Sequence, residues 1–289
     1  DCQDIPNGQR GEDGSSAYTA TGAEAAVDCA DGSYSTNGTG DCVDVPAGSR
    51  GENGSGAYAS SGAVIAVACS GGTYSTSGTG DCQDIPNGKR GVNVSNAYVS
   101  SGAVNVQSCP AGTYSTNGTG DCSDIDNGKR GVNSSSSYVS TGAVNVQSCP
   151  GGSYSTNGTG DCQDVPNGSR GENGSGAYAS TGAVIAVACA DGSYSTNGTG
   201  NCVDVPAGKR GENGSGAYAS SGAVIAVACA GGSYSTNGTG DCQDIPNGKR
   251  GEDGSGAYVA TGAQAAVACA GGSYSTNGTG DCQDVPNGS

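Results

Sequence analysis

The stretch CAGGSYSTNGTGDC, which runs from Cys229 to Cys242, opens and closes with cysteine. Asn237-Gly238 lies near its centre and is the strongest short-range signal for a β-hairpin; the Ser, Tyr and Thr residues around it suit strands. Asn237-Gly238-Thr239 is also an acceptor sequence for N-glycosylation. The stretch therefore predicts a turn, a crosslink and a sugar site close together.

The same stretch recurs with a period of 40 residues and without insertion or deletion. A constant period is the signature of tandem repeats, in which each unit meets its neighbour through the same surface. Because the chain begins and ends within a repeat and shows no signal peptide, we expect it to be a segment of a longer mature protein. The predicted units are repeat 1 (1–40), repeat 2 (41–80), repeat 3 (81–120), repeat 4 (121–160), repeat 5 (161–200), repeat 6 (201–240), repeat 7 (241–280) and the start of repeat 8 (281–289).

The composition argues against a large apolar core. The 289 residues include 56 Gly and no Phe, Trp, Met, His or Leu, and only 33% are hydrophobic. Crosslinks replace a missing core in small secreted modules, and the 15 cysteines predict the same solution here. Disulfides on this scale require an oxidising compartment, so we expect an extracellular or secreted protein, such as part of a cell-surface appendage.

The net charge of −16 is spread evenly along the chain. Without a basic stripe to neutralise phosphates, nucleic acid and anionic membrane surfaces are not expected partners. The sequence also has no apolar run long enough to predict a membrane span in this segment.

Turn signals follow one another about every six to ten residues, with no helical periodicity, which predicts an all-β fold. In the first copy we predict a turn at Pro6-Asn7-Gly8, in which Pro6 forms the first corner and Asn-Gly supplies the positive φ after it. We also predict a polar turn region over 10–14 and a strand over 16–20. The most apolar strand is predicted over 23–29, followed by a hairpin that contains Tyr34 and turns at Asn37-Gly38. The predicted architecture is an elongated, disulfide-stapled tandem repeat of short β-hairpin modules.

Differences between copies predict which face of the apolar strand points inward. Ile65 and Val67 of the second copy are replaced by Asn105 and Gln107 in the third, whereas the alternate positions stay apolar. Residues two apart lie on the same side of a strand. We therefore expect the alternate positions to face inward, and the face of Ile65 and Val67 to meet different neighbours in different copies.

Arg and Asp each recur at one fixed phase, represented by Arg10 and Asp4. The Asp lies six residues before the Arg, across the Pro-x-Gly turn, so we predict a bidentate ion pair that braces this turn. Tyr occurs at two phases, represented by Tyr18 and Tyr34. We predict that these rings form a miniature core with the Arg stacked against one of them.

The gaps between cysteines alternate between 27 and 13 residues, and two regular connectivities are compatible with them. The entropy of loop closure does not separate them, because both loops correspond to roughly 3–4 kcal/mol. The predicted Asn-Gly hairpin favours the short gap, and zinc is not expected because Cys-x-x-Cys pairs and His are absent. The predicted disulfide cysteines are Cys29, Cys42, Cys69, Cys82, Cys109, Cys122, Cys149, Cys162, Cys189, Cys202, Cys229, Cys242, Cys269 and Cys282.

The blocks CPAGTYSTNGTGDC, from Cys109 to Cys122, and CAGGSYSTNGTGDC resemble the ephrin-receptor-like cysteine-rich repeat, which is related to the modules of tumour-necrosis-factor receptors. The resemblance covers about a third of each unit. It implies an elongated, secreted β-hairpin module whose short cysteine gap is bridged, as in the shafts of extracellular filaments and surface appendages. Val45 stands at the phase where family members usually carry a further cysteine, so a second module disulfide is missing.

The sequons are the strongest functional signal, and all lie in predicted exposed turns. We predict that many of them carry glycans, which would protect the chain from proteases and hold water. The predicted glycosylation sites are Asn37, Asn53, Asn93, Asn117, Asn133, Asn157, Asn167, Asn173, Asn197, Asn213, Asn237, Asn277 and Asn287.

Catalysis is not expected, because there is no His to act as general base and no phosphate-binding glycine motif. No cofactor is predicted beyond covalent glycans. Calcium is left open: Asp41, Asp44, Glu52 and Asn53 offer oxygen ligands, but no known calcium motif contains them.

The sequence therefore predicts a structural protein of an extracellular, glycosylated filament that associates with itself end to end or laterally. Two alternatives remain: the stalk of a cell-surface adhesin and a soluble receptor-like ligand-binding module.

Overall fold

A computed structural model describes residues 2–286, and within this range the chain forms 28 strands and no helix. The strands pair into two-stranded sheets, and every pair with a defined register is antiparallel. Seven disulfides recur with the period of the sequence. The predicted all-β, disulfide-stapled tandem repeat is therefore confirmed.

Each copy contributes one sheet of four-residue strands and one of two-residue strands. The four-residue pairs are β1 (Gln9–Glu12) with β2 (Ala25–Asp28), β5 (Ser49–Glu52) with β6 (Ile65–Ala68), β9 (Lys89–Val92) with β10 (Asn105–Ser108), β13 (Lys129–Val132) with β14 (Asn145–Ser148), β17 (Ser169–Glu172) with β18 (Ile185–Ala188), β21 (Lys209–Glu212) with β22 (Ile225–Ala228) and β25 (Lys249–Glu252) with β26 (Ala265–Ala268). The two-residue pairs are β3 (Ser33–Tyr34) with β4 (Val43–Asp44), β7 (Thr73–Tyr74) with β8 (Gln83–Asp84), β11 (Thr113–Tyr114) with β12 (Ser123–Asp124), β15 (Ser153–Tyr154) with β16 (Gln163–Asp164), β19 (Ser193–Tyr194) with β20 (Val203–Asp204), β23 (Ser233–Tyr234) with β24 (Gln243–Asp244) and β27 (Ser273–Tyr274) with β28 (Gln283–Asp284).

The longer sheet begins at the turn after Pro6. The Gln9 amide donates to the Pro6 carbonyl at 3.2 Å, and Gly8 takes the positive φ of +84° that the second corner of such a turn requires. Pro6 is thus the first residue of the turn, not its first corner as predicted. The predicted polar turn region over 10–14 is also wrong at its start, because residues 9–12 form a strand and Gly11 is buried.

The shorter sheet joins the two ends of the cysteine-bounded stretch. Ser33 lies opposite Asp44, and Tyr34 lies opposite Val43, so the connection runs from residue 35 to residue 42. Asn37-Gly38 is therefore not the two-residue hairpin turn that the sequence predicted. Instead, the Asn37 side chain accepts hydrogen bonds from the backbone and hydroxyl of Thr39, which bends the middle of the connection.

The core of each copy is small and contains no aromatic ring. Its buried apolar members in the second copy are Val45, Ala63 and Cys69, which are 3%, 1% and 1% exposed. Tyr58 and Tyr74 are only half-buried, so the predicted tyrosine core is wrong. Val45 is thus the largest aliphatic side chain buried in this copy.

Glycine lets the backbone approach this core closely. A Cβ added to Gly51 would lie 2.8 Å from the Cβ of Ala63, and one added to Gly11 would lie 2.8 Å from both Ala23 and Ile5 side-chain atoms. Real Cβ atoms do not pack at such distances, so the strand that carries the Arg must contain glycine at its centre.

The exposure of the apolar strand agrees in part with the comparison of copies. Ile65 is 47% exposed, and Asn105 and Gln107 are exposed as well, but Val67, predicted on the same face as Ile65, is half-buried. The alternate positions, represented by Val104 and Val106, are half-buried.

The chain divides into two compact units. The first comprises Asp1–Ile125, Arg130–Gln147 and Gly158–Asp161, and the second comprises Asp126–Lys129, Ser148–Asn157 and Cys162–Ser289. Each unit has the same internal organisation of paired sheets and bridged cysteines. Strands β3 and β4 pair across residues 40 and 41, where the sequence analysis placed the border between repeats 1 and 2. This border therefore does not separate two structural modules.

Replacing Gly171 with Ala should reduce the free energy of unfolding by about 1–3 kcal/mol, because the new methyl group overpacks the core. Its Cβ would lie 2.7 Å from the Cβ of Ala183. Gly174→Ala is the matched control, because a Cβ there meets nothing within 4 Å, and it should change stability by no more than about 0.5 kcal/mol. Denaturant unfolding measures both, and equal effects would contradict the packing argument.

Candidate functional site

Seven disulfides close the short cysteine gap, and the long gap is open in every copy. Their Cα–Cα distances are 5.6–5.7 Å. The bonded pairs are Cys29–Cys42, Cys69–Cys82, Cys109–Cys122, Cys149–Cys162, Cys189–Cys202, Cys229–Cys242 and Cys269–Cys282. Cys2 is exposed and is not bonded to any cysteine within the described range 2–286.

A charged cluster centred on the recurring Arg ties the longer sheet to this disulfide. In the first copy, the Nε and Nη2 atoms of Arg10 donate to Glu12 at 3.0 and 2.8 Å, and its Nη1 atom donates to Asp41 at 2.9 Å. Asp41 directly precedes Cys42 and also accepts from its backbone amide. The guanidinium thus bonds to Glu12 on its own strand and links this strand to the closing cysteine through Asp41.

The partners of the Arg differ from those that the sequence predicted. Arg10 pairs with Glu12 and Asp41, not with Asp4, and Arg50, Arg210 and Arg250 pair with the Glu and Asp at the equivalent positions. Asp4 is exposed, and its equivalent Asp44 lies exposed in β4. The prediction failed because Asp41 is distant in sequence and reaches the Arg only through the folded cysteine hairpin.

Glu12 is the least expected member of the cluster, because it is only 8% exposed. A buried carboxylate is costly unless it is paired and hydrogen-bonded, and Arg10 supplies both. Spacing alone gave no signal for this site, since a Glu two residues after an Arg is ordinary in a polar turn. The alternation of a strand, which places both side chains on one face, is the signal that would have found it.

In copies three and four, the second hydrogen-bond acceptor of the Arg lies on the paired strand instead of on the strand of the Arg itself. Val92 replaces the buried Glu, and Gln107, on the strand paired with it, accepts from Nη2 of Arg90 at 3.0 Å. The Nε atom of Arg90 is buried and has no hydrogen-bond partner among the described residues. Arg130, with Val132 and Gln147, repeats this arrangement. The two changes therefore compensate each other within one cluster.

The Arg also holds the carboxylate beside it in its charged form. Hydrogen bonding from Arg10 lowers the pKa of Asp41, and Arg50, Arg210 and Arg250 do the same for their partners. In return, hydrogen bonds to the Glu and the Asp raise the pKa of the Arg residues, and for Arg10 the bond to Glu12 is the larger cause.

Successive copies within each unit meet through a repeated backbone junction. Between the first and second copies, the Gly62 amide donates to the Cys29 carbonyl at 2.7 Å and the Ser35 amide donates to the Ala63 carbonyl at 3.0 Å. Tyr34 and Ala63 form an isolated parallel bridge at the same place. Every junction from the first copy to the seventh repeats these bonds. The same surfaces thus meet each time, as the constant period requires.

The sequon threonines belong to this junction as well, a role that sequence reasoning missed. The Thr119 hydroxyl donates to Asn117 at 2.9 Å, while its Cγ2 atom occupies the space beside Gly72 of the preceding copy. In the copy without the sequon, Ser77 takes the place of Asn and contacts the Thr79 hydroxyl at 2.6 Å. The recurrence of Asn-Gly-Thr therefore has a structural reason independent of any sugar.

The predicted glycosylation sites fall into three kinds of turn. Asn37, Asn117, Asn157, Asn197, Asn237 and Asn277 are exposed in the connection of the shorter sheet. Asn53, Asn93, Asn133, Asn173 and Asn213 lie after the first strand and accept hydrogen bonds from the turn that follows them. Asn167 is exposed in the Pro-Asn-Gly turn, and Asn287 lies outside the described residues.

No group of three or more His, Cys, Asp or Glu side chains is placed to hold a metal ion within residues 2–286. Of the oxygen ligands that left calcium open, Asp41 and Glu52 bond to different Arg residues, and Asn53 caps its own turn. Among these same residues there is also no helix with the length and apolar character needed to cross a bilayer.

No protein-family model matches the sequence, and the search of curated proteins gives no significant match. The structure fits a cysteine-rich repeat in general, and its disulfide-rich tandem hairpins are compatible with an extracellular structural module.

A double-mutant cycle in the second copy tests the compensation around Arg50. Glu52→Val alone should cost about 1–3 kcal/mol, because it leaves two guanidinium N–H groups without an acceptor. Adding Val67→Gln to it recreates the arrangement of copies three and four and should recover part of this loss, with a coupling of about 0.5 kcal/mol or more. Val67→Gln alone is the control and should bring no gain. Additive effects in denaturant unfolding would contradict the shared cluster.

Acid should weaken the link between the Arg and the Asp. Because the pKa of Asp241 is lowered on folding from 3.8, its contribution is complete above pH 3.8 and is lost as the pH falls through the lower value of the folded state. Asp241→Asn removes this titration but keeps an acceptor, as Asn201 does for Arg170 at 2.9 Å. We expect a smaller loss of stability on acidification in this variant, as measured by urea unfolding at several pH values. An unchanged acid response would show that the pair contributes nothing.

Proposed function

We propose that this chain is a structural protein of an extracellular, glycosylated filament built from tandem cysteine-rich repeats. The observation that carries the proposal is the junction between copies, in which the same two backbone hydrogen bonds and the same Thr-on-Gly contact recur. A junction that does not change from copy to copy allows modules to be added without altering those already present. This is the property that a mechanical or protective polymer needs.

The disulfides support an extracellular location for this polymer, because such crosslinks persist in oxidising compartments. The partial resemblance to ephrin-receptor-like repeats supports the same kind of module. The chain also contains no His, and its acids are engaged with Arg or face solvent, which supports a role without catalysis.

Glycans on the exposed Asn-Gly-Thr turns would cover the polymer. The bond would join the Asn Nδ2 atom to the anomeric carbon of an activated sugar. The amide loses one proton in this step, and the sugar loses its phosphate leaving group. The Asn37 Oδ1 atom accepts two hydrogen bonds from Thr39, which leaves Nδ2 as the reactive atom.

Exposed apolar residues support lateral self-association. Ile65, Ile185 and Ile225 are 47%, 47% and 42% exposed, at the position that holds Asn105 and Asn145 in copies three and four. Isolated exposed aliphatic residues are common on proteins, but here they recur at one phase of a repeated strand. Contact between such residues of two chains would remove them from water.

Electron microscopy of the chain produced in a secretory host tests the polymer, with Ile65→Asn/Ile185→Asn/Ile225→Asn as the matched variant. The substitutions copy natural residues of the same strand, so the fold should persist. We expect filaments from the parent chain and a loss of lateral association in the variant. Isolated monomers of the parent would contradict the filament and favour an adhesin stalk.

The intact mass of the chain from a secretory host, measured before and after enzymatic removal of N-glycans, tests the proposed glycosylation. We expect the mass to fall by several glycans. An unchanged mass would remove glycosylation from the proposal but would leave the filament to be judged by microscopy.

A further inference from the structure

A small polar groove lies beside the Asn-Gly-Thr turn in the third and fifth copies, and we refer to it as the sequon groove. In the third copy, Tyr114, Asn117, Thr119, Asp121 and Ser123 line it, and its volume is about 210 Å³. In the fifth copy, Tyr194, Asn197, Thr199, Asn201 and Val203 line a groove of about 260 Å³. The first groove lies in one compact unit and the second in the other.

The residue opposite the tyrosine distinguishes these copies from most others. Gln83, Gln163 and Gln243 accept a hydrogen bond from the facing tyrosine hydroxyl at 3.0–3.1 Å, and Gln283 does so at 3.4 Å. Ser123 and Val203 replace this Gln in the third and fifth copies. The hydroxyls of Tyr114 and Tyr194 consequently make no hydrogen bond to any part of the chain that the structure describes. The sequence at this one position thus decides whether the tyrosine is tied to its partner strand.

Polar atoms with spare capacity surround the tyrosine in the groove. Asp121 uses Oδ1 to accept from Arg90 at 2.8 Å and from the Cys122 amide at 2.7 Å, and its Oδ2 accepts nothing from the described residues. Asn117 likewise uses only its Oδ1 atom, for the two bonds from Thr119. One acceptor and two amide N–H donors therefore remain available beside an aromatic ring.

This combination selects for a small ring with polar edges and apolar faces. Tyrosine offers a flat apolar surface with a hydroxyl at one end, and the amide and carboxylate can bond to hydroxyl groups around the ring. The groove is smaller than the ~300–1,000 Å³ of sites for drug-sized ligands, which limits it to about one monosaccharide.

We propose that each sequon groove binds one pyranose ring, stacked on Tyr114 in the third copy and on Tyr194 in the fifth. The sugar has two sources, a free saccharide or the first residue of a glycan carried by Asn117 or Asn197. Only the second source rests on the proposed glycosylation. Tyr34, which faces Val43 in the first copy, belongs to the same class because it also lacks the Gln.

Titration of the unglycosylated, oxidised chain with N-acetylglucosamine tests the site, with NMR signals of labelled tyrosine rings as the readout. We expect saturable shifts for Tyr34, Tyr114 and Tyr194, and none for Tyr74 or Tyr154. Glycerol, a polyol without a ring, is the control ligand and should not reproduce the shifts.

Two variants make the assignment specific. Val203→Gln should abolish the response of Tyr194 while that of Tyr114 persists as an internal control. Gln163→Val should create a saturable response at Tyr154. An equal response of all tyrosines, the absence of any response, or an unchanged response in Val203→Gln would overturn the proposal.

A second measurement separates the two sources in the chain from a secretory host. Nuclear Overhauser contacts between the Tyr194 ring and the first sugar on Asn197, lost in Asn197→Gln, would identify the attached glycan as the occupant. If the mass shows no glycan but the titration succeeds, glycosylation fails while the binding site stands, with free saccharide as its ligand.

Discussion

The disulfide that closes the short cysteine gap is the constraint on which each module depends. In copies two to six the buried apolar side chains are the opening cysteine, one alanine and one or two β-branched residues, and no tyrosine of the described residues is buried. So small a core offers little hydrophobic free energy, and the chain compensates by restricting its unfolded state covalently. The small size of the core also explains the glycines at the positions of Gly11 and Gly51. Only a backbone without a Cβ can approach these core side chains so closely.

The Arg cluster extends this local constraint to the longer sheet. Arg10 connects a strand to the residue before the closing cysteine, so a direct ion pair ties the sheet to the disulfide. The other N–H groups of the recurring Arg find an acceptor in one of two ways. The acceptor is a buried Glu on the same strand, as for Arg10, or a Gln on the paired strand, as for Arg90. Both give the guanidinium a side-chain acceptor, although the second leaves Nε without a partner among residues 2–286. The copies can therefore vary on their outer face while the link to the disulfide stays constant.

The sequence predicted the repeat, the all-β class and the inward face of the apolar strand, because these depend on periodicity and on local preference. It missed the strand at residues 9–12, since Arg, Gly and Glu are poor strand formers and the strand exists only through its pairing with residues 25–28. It also assigned Asn37-Gly38 to a tight hairpin turn. The Thr39 hydroxyl instead bonds to Asn37, and in later copies the equivalent threonine methyl lies beside a glycine of the preceding copy, as Thr119 does beside Gly72.

The sequence by itself determined that sulfur bridges must replace an apolar interior and that one module is repeated at constant phase, because composition and period leave no other way to bury this chain. Only the tertiary structure decided which acid meets each Arg, since the Asp lies 31 residues away and comes near through the folded hairpin. Whether the tyrosine hydroxyl is hydrogen-bonded was decided in the same way, by the residue that antiparallel pairing sets opposite the tyrosine: Ser123 faces Tyr114, whereas Gln163 faces Tyr154 and bonds to it. Contacts of this kind depend on the register between segments that are distant in the sequence. The pattern of residues along a single strand does not specify that register.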